Sequence, residues 1–238
     1  MEVFIKKISN FLSLAVVFCV SAVFYFNYKG FVYQNGQIIL QRQIAEAGEL
    51  AIELPANMAI NVSAKYALGS ASAPLTLYEY SSLTCPHCAD FHLDIMPRLK
   101  QDYIDNGLLR VIFVNFPLDK NAMKAAMLSE CMTYENYFGF INALFDSQRS
   151  WWMDITNEQL FKFAAEYGLS YDEAQACIRN NSVAQEIITN REDALRNLKM
   201  QGTPAFLFHG ADGNEIIYGV VGYDKLREYL DKRLINLQ

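Results

Sequence analysis

From residue 74 onward, short apolar runs alternate with longer stretches of helical periodicity. Pro74-Leu75-Thr76-Leu77-Tyr78-Glu79-Tyr80 reads as a strand, set off by the turn-forming Gly69-Ser70-Ala71-Ser72. Residues 86–105 then place Cys88, Phe91, His92, Ile95 and Leu99 on one helical face. Pro86 suits the first helical position, where its missing N–H costs nothing. Pro97 lies inside the pattern and predicts a kink, and Asn106-Gly107 ends it. Residues 108–116 form a second apolar run, a buried strand stopped by Pro117.

Residues 118–200 contain no strand-like run. Helical patterns fill them, with breaks expected at Asn136-Tyr137, Ser150-Trp151-Trp152 and Gly168-Leu169-Ser170. This stretch holds 12 acidic and 8 basic residues, a net −4 of the chain's −6, and reads as a helical subdomain with a solvated acidic surface. Gly202-Thr203-Pro204 then precedes the short apolar strand Ala205-Phe206-Leu207-Phe208-His209. Ala211-Asp212-Gly213-Asn214 predicts a hairpin turn, residues 215–221 the return strand and 223–235 a terminal helix. The order is that of an α/β layer interrupted by an all-α insertion.

The N-terminus has a different pattern. Lys6 and Lys7 precede 21 uncharged residues, 8–28, whose middle is almost wholly apolar. This predicts a membrane-targeting segment, with the rest of the chain exported because the lysines hold the N-terminus inside. Val20-Ser21-Ala22 offers a cleavage site. The length of the segment and the cluster Phe24, Tyr25, Phe26 and Tyr28 suit a retained anchor equally well. Residues 29–68 read as an extension in which Leu40, Ile44, Ala47, Ala51 and Leu54 recur at heptad-like spacing. A helix packed on its own domain, a loose tether and a self-associating stalk all fit that stripe. Five segments result: 1–28, 29–68, 69–117, 118–200 and 201–238.

Composition narrows the classes. The chain has 238 residues, 52% apolar and 19% charged, enough for a sizeable core and too apolar for general disorder. A net charge of −6 shows no basic footprint for nucleic acid. Beyond Cys19 in the apolar segment there are four cysteines, Cys85, Cys88, Cys131 and Cys177. In an oxidising compartment an even number fits two disulfides, and spacing alone does not choose among the three pairings.

Cys85-Pro86-His87-Cys88 follows a strand and opens a helix. A cysteine there has its thiolate stabilised by free backbone N–H groups and the helix dipole. A second cysteine one turn on closes a small, readily exchanged disulfide with it. These positions make Cys85 the attacking thiol and Cys88 the resolving one. His87 is placed to add positive charge or a hydrogen bond near the Cys85 sulfur. A strongly stabilised Cys85 thiolate favours the reduced form and makes the disulfide a strong oxidant. A zinc site with His92 would need a fourth ligand or water and usually a second knuckle, and the chain has no second Cys-x-x-Cys or His pair. His92 and His209 read as packing residues, and Trp151-Trp152, Phe138, Phe140 and Phe145 read as core or as the lining of an apolar groove.

With these residues the chain resembles the DsbA-like family of exported thiol:disulfide oxidoreductases. The resemblance runs over residues 67–238 and is carried by Leu77-Tyr78-Glu79-Tyr80-Ser81, Cys85-Pro86-His87-Cys88, Phe116-Pro117-Leu118 and Gly202-Thr203-Pro204. It implies a thioredoxin fold with an inserted all-α helical domain. It implies that Glu79 lies buried beneath the site and relays the proton of Cys88. It makes Pro204 the cis-proline facing the active pair, with Thr203 presenting its backbone to an extended substrate peptide. It further implies a second disulfide between Cys131 and Cys177. Closing 46 residues stabilises by roughly 4 kcal/mol in the chain-entropy model.

The function so implied is transfer of the Cys85–Cys88 disulfide to reduced, folding exported proteins in a bacterial periplasm. No bound cofactor or metal is needed, since the disulfide is the redox centre. Reoxidation implies a DsbB-like membrane quinone reductase. An oligomeric disulfide isomerase, assembled through residues 29–68, is the alternative. A thioredoxin-fold binding module without turnover is a third reading, opposed by the intact cysteine pair, Glu79 and Thr203-Pro204.

Overall fold

In the computed structural model, the described residues are 31–34, 37–40 and 51–237 other than 56, 57, 63, 64 and 155, with side chains from residue 51 on. Residues 8–28, the expected membrane-targeting segment, lie outside them. Among the described residues no helix is long and apolar enough to cross a membrane.

The chain divides into two units, 1–50 and 51–238. In the first, β1 (Phe31–Gln34) and β2 (Gln37–Leu40) pair antiparallel, with Phe31 opposite Leu40 and Gln34 opposite Gln37. The heptad-like stripe is therefore not one helix. Leu40 closes a strand, and Ile44 and Ala47 lie outside the described residues. Ala51 is buried at a bend just before the strand β3 (Ile52–Glu53). The pattern that prevails is Asn35-Gly36 between two apolar runs, a strong hairpin signal.

In the second unit β3, β4 (Leu75–Ser81), β5 (Leu109–Asn115), β6 (Ala205–Gly210) and β7 (Gly213–Tyr218) form one sheet in the order β3-β7-β6-β4-β5. Only β4 and β5 run parallel, from Leu75 opposite Leu109 to Ser81 opposite Asn115. A parallel pair needs a long crossover, and residues 86–104 supply it as α1. Residues 51–54, assigned from sequence to an extension, join this sheet instead, because β3 pairs with the outer edge of β7. Gly213, at φ +122°, turns the β6–β7 hairpin where a side chain would be strained.

Helix α1 is continuous, built of Pro86–Asp90, Phe91–Ile95, Met96–Leu99 and Lys100–Ile104. The second and fourth segments are π-helical. Pro97, which lacks an N–H, is accommodated by widened turns on either side of it. Between β5 and β6 come α2 (Lys120–Glu130), α3 (Tyr134–Asp146), α4 (Gln148–Trp151), α5 (Glu158–Glu166), α6 (Tyr171–Cys177) and α7 (Asn181–Asn197). The final helix is α8 (Tyr223–Asn236).

Local chemistry marks these helix starts. Asp119 caps α2 by accepting from the Asn121 and Ala122 N–H groups, and Ser170 with Glu173 forms a capping box on α6. Asn136-Tyr137, expected as a break, lies inside α3, because Tyr137, Phe140, Ile141 and Leu144 form one buried helical face. The break falls at Cys131–Thr133 instead.

A continuous core joins the insertion to the sheet. Leu83, Cys85, Cys88, Ala89 and Phe113 pack with Phe140, Leu144, Phe145, Trp151 and Leu160. The cysteine pair therefore sits where the two layers meet. Trp151, Phe140 and Phe145 are buried, whereas Trp152 and Leu118 are exposed. A disulfide of Cα–Cα distance 6.3 Å ties Cys131, just past α2, to Cys177 at the end of α6. Replacing both of these cysteines by alanine is expected to lower unfolding free energy by about 4 kcal/mol, read from urea denaturation at constant pH. A loss under about 1 kcal/mol would show that this link does not constrain the unfolded chain.

Candidate active site

Strand β4 ends at Ser81, and the backbone turns over four residues to place Cys85 at the N-cap of α1, with Pro86 at the first helical position. Cys85 is in extended conformation, and its carbonyl receives the N–H groups of Cys88 and Ala89 at 3.1 Å each. Both active cysteines are free thiols. Cys85 is mostly covered, and Cys88 is fully buried.

Their environments pull the two thiols in opposite directions. The Cys85 thiol is pushed down to about 5, first by a hydrogen bond from the Cys88 thiol, against the opposing effect of burial. Thr203 and the backbone N–H groups of Cys88 and His87 add to the lowering. Cys88 is pushed far up, chiefly by burial and then by the adjacent Cys85 sulfur. One sulfur is thus prepared to carry charge and the other to keep its proton.

Across from the pair, the Thr203-Pro204 bond is cis. The Thr203 carbonyl lies 3.5 Å from Cys85 Sγ and accepts from the thiol. The Thr203 hydroxyl is buried with no partner of standard geometry, and it lowers the pKa of both sulfurs. Of the two contributions expected of His87, positive charge or a hydrogen bond, the structure gives the hydrogen bond. Its exposed ring faces Asp90, with Nδ1 3.6 Å from Oδ2, so its effect on Cys85 comes through its backbone N–H.

Glu79 is completely buried on the interior strand β4, opposite Phe113 on one side and Phe206 on the other. Ser81 Oγ donates to Glu79 Oε1 at 2.5 Å. Glu79 Oε2 lies 3.0 Å from His92 Nε2, close but off the line of a ring N–H hydrogen bond. His92 is also stacked on Phe145 at 4.6 Å between ring centres. It packs, as expected from sequence, and in addition touches the one buried acid of the site. A cavity of about 310 Å³ opens beside Glu79 and His92, reaching Lys100 and Asn142.

Two supports had no sequence signal. Gln148, on α4, donates from Nε2 to the carbonyls of Leu83 at 2.8 Å and Cys85 at 3.1 Å, so the insertion clamps the active loop. Thr84 Oγ1 donates to Asp119 Oδ2 at 2.5 Å, tying the same loop to the cap of α2. Both partners lie tens of residues away in the chain, and only the fold brings them near. Among the described residues no group of three or more His, Cys, Asp or Glu side chains is placed to hold a metal ion.

The family described as Thioredoxin matches residues 61–232, taking in both cysteines, Glu79 and the cis-proline. The crystal structure of Wolbachia pipientis alpha-DsbA1 is 31% identical, over 76% of this chain and 95% of that one, with a TM-score of 0.67. The chain belongs to the DsbA-like thiol:disulfide oxidoreductase family. A second DsbA-like neighbour, oxidised BdbD from Bacillus subtilis, is 25% identical over 71% of this chain and 91% of its own, with a TM-score of 0.62. A Rickettsia typhi relative, named for protein-disulfide oxidoreductase activity, is 31% identical over 145 residues. The matched part spans 60% of this DsbA-like chain and about half (54%) of that relative.

Titration of the reduced protein at 240 nm is expected to show Cys85 ionising with a midpoint of about 5. Because an unfolded thiol ionises near 8.5, the unfolded chain binds more protons between about pH 5 and pH 8.5. The reduced protein should therefore gain stability with rising pH across that window and lose it as pH falls through the lower limit. A midpoint near 8.5 in the folded protein would remove the asymmetry between the two sulfurs.

Proposed function

We propose that this protein donates disulfides to cysteine-bearing proteins by dithiol–disulfide exchange at Cys85–Cys88. The observation that carries this reading is the opposed stabilisation of the two sulfurs. A thiolate held at Cys85 lowers the free energy of the reduced pair and so raises the oxidising power of the disulfide.

In the proposed cycle a substrate thiolate attacks Cys85 Sγ and breaks the Cys85–Cys88 bond. Cys88 leaves as a thiolate and is protonated in place, since its buried site disfavours the charge. A second substrate thiolate then attacks the substrate sulfur of the mixed disulfide and releases Cys85, a good leaving group because its thiolate is stabilised. The Thr203 backbone beside the cis bond is placed to hold an extended substrate segment by strand-like hydrogen bonds. The disulfide itself is the redox centre, and no further cofactor enters this cycle.

The proposed site of action is the bacterial periplasm, with the apolar segment 8–28 as signal or anchor. The proposed substrates are reduced exported proteins. A DsbB-like membrane quinone reductase is the proposed oxidant of the reduced pair.

The test is the equilibrium reduction potential of the pair against glutathione buffers, with Cys131–Cys177 left oxidised. The expected value lies toward about −120 mV, the oxidising end reached by DsbA itself. A value of about −200 mV or lower would overturn the donor reading and favour isomerisation or reduction by the same site.

A further inference from the structure

Cys88 is wholly covered, so each exchange must move a proton to or from a sulfur that bulk water does not reach. The neighbouring polar atoms are placed in series. The Ser81 side chain is close enough to the Cys88 sulfur to lower its pKa, and its hydroxyl donates to Glu79 Oε1 at 2.5 Å. Glu79 Oε2 then lies 3.0 Å from His92 Nε2. His92 Nδ1 is 3.1 Å from Oδ1 of Asn142, an exposed residue. Ser81 and Glu79 are fully buried, and His92 nearly so.

Glu79 Oε2 and His92 Nε2 have no hydrogen-bond partner of standard geometry, so each faces only the other. Leaving both without a shared proton would cost the desolvation of two buried polar atoms. With Nδ1–H given to Asn142, Nε2 is the ring atom free to exchange that proton. The surroundings fit a conduit. Phe113 and Phe145 flank the imidazole, and the phenol of Tyr137 is a further titratable group near Glu79. Lys100 lines the 310 Å³ cavity, with its ammonium held by Asp105 at 2.6 Å.

We propose that Ser81, Glu79 and His92 form a proton path between Cys88 and this cavity, with His92 the residue that exchanges the proton with solvent. A relay at Glu79 is implied by family resemblance; Ser81 and His92 are the two ends it has in this chain. The inference rests on the oxidoreductase reading.

In closure, the Cys88 sulfur attacks Cys85 Sγ of a mixed disulfide. The bond from Cys85 to the leaving sulfur breaks, and that sulfur departs as a thiolate with the bonding pair. The Cys88 proton passes by way of the Ser81 hydroxyl to the Glu79 carboxylate, then to His92 Nε2, and from the imidazolium to solvent. When a substrate thiolate opens the Cys85–Cys88 bond, the proton runs inward along the same groups to the departing Cys88 thiolate.

The experiment is rapid-quench oxidation of the reduced full chain by oxidised glutathione. Acid quenching and mass analysis count the reduced, glutathione-bound and closed forms, which separates attack by Cys85 from closure by Cys88. His92→Gln keeps the volume but removes the titratable ring. It is expected to leave attack unchanged and slow closure by about tenfold to a hundredfold, up to the lower end for positioned proton transfer. The glutathione-bound form should then accumulate, with a flattened pH profile of closure. Ser81→Ala should do the same, and added imidazole should restore closure in His92→Ala.

Unchanged closure in His92→Gln and Ser81→Ala would overturn the path. So would equal slowing of both steps without imidazole rescue, the mark of a structural role. If His92→Ala does not fold, His92→Gln carries the test alone. Failure of the unaltered protein to close at all would instead overturn the oxidoreductase reading.

Discussion

The hydrogen bond from the buried Cys88 thiol to the Cys85 sulfur is the interaction on which the site depends. It is the first of the influences that lower the Cys85 pKa, and its strength requires Cys88 to keep its proton. Burial of Cys88 is what keeps that proton in place. The helix start adds backbone N–H groups around the same sulfur. Charge is thus assigned to the outer cysteine and denied to the inner one by a single arrangement of covering side chains.

That covering is provided from two layers. Strand β4 brings Glu79 and Ser81 beneath α1, and the helical insertion brings Gln148, Phe145 and Trp151 against the loop that carries Cys85. A thioredoxin-like sheet alone would leave the Leu83 and Cys85 carbonyls without the Gln148 amide. The insertion is therefore part of the site as well as an addition to the fold. Its own rigidity is helped by the Cys131–Cys177 link between the end of α2 and the end of α6.

Much of this was legible in the sequence, for physical reasons particular to each residue. Two cysteines spaced across one helical turn after an apolar strand have few other uses. An acid amid Leu77, Tyr78 and Tyr80 is conspicuous because burying a carboxyl is costly. Long-range partners were not legible. His92 shares a helical face with Phe91 and Leu99, so periodicity reads it as packing and cannot reveal that Glu79 lies across from it. Gln148 carries no pattern at all, since its role is set by two carbonyls more than sixty residues earlier. Local signals also competed. Asn136 suggested a turn, but the apolar face of α3 prevailed. Apolar spacing suggested a helix through residue 40, where Asn35-Gly36 favoured a hairpin.

The central claim is thermodynamic: the folded protein stabilises the reduced pair more than the disulfide. Stability therefore answers it without any substrate. Thermal or denaturant unfolding would be compared for the protein oxidised at Cys85–Cys88 and the protein reduced there alone, at neutral pH. The account predicts that the reduced protein is the more stable of the two. A more stable oxidised protein would contradict it, whatever activity the pair then showed.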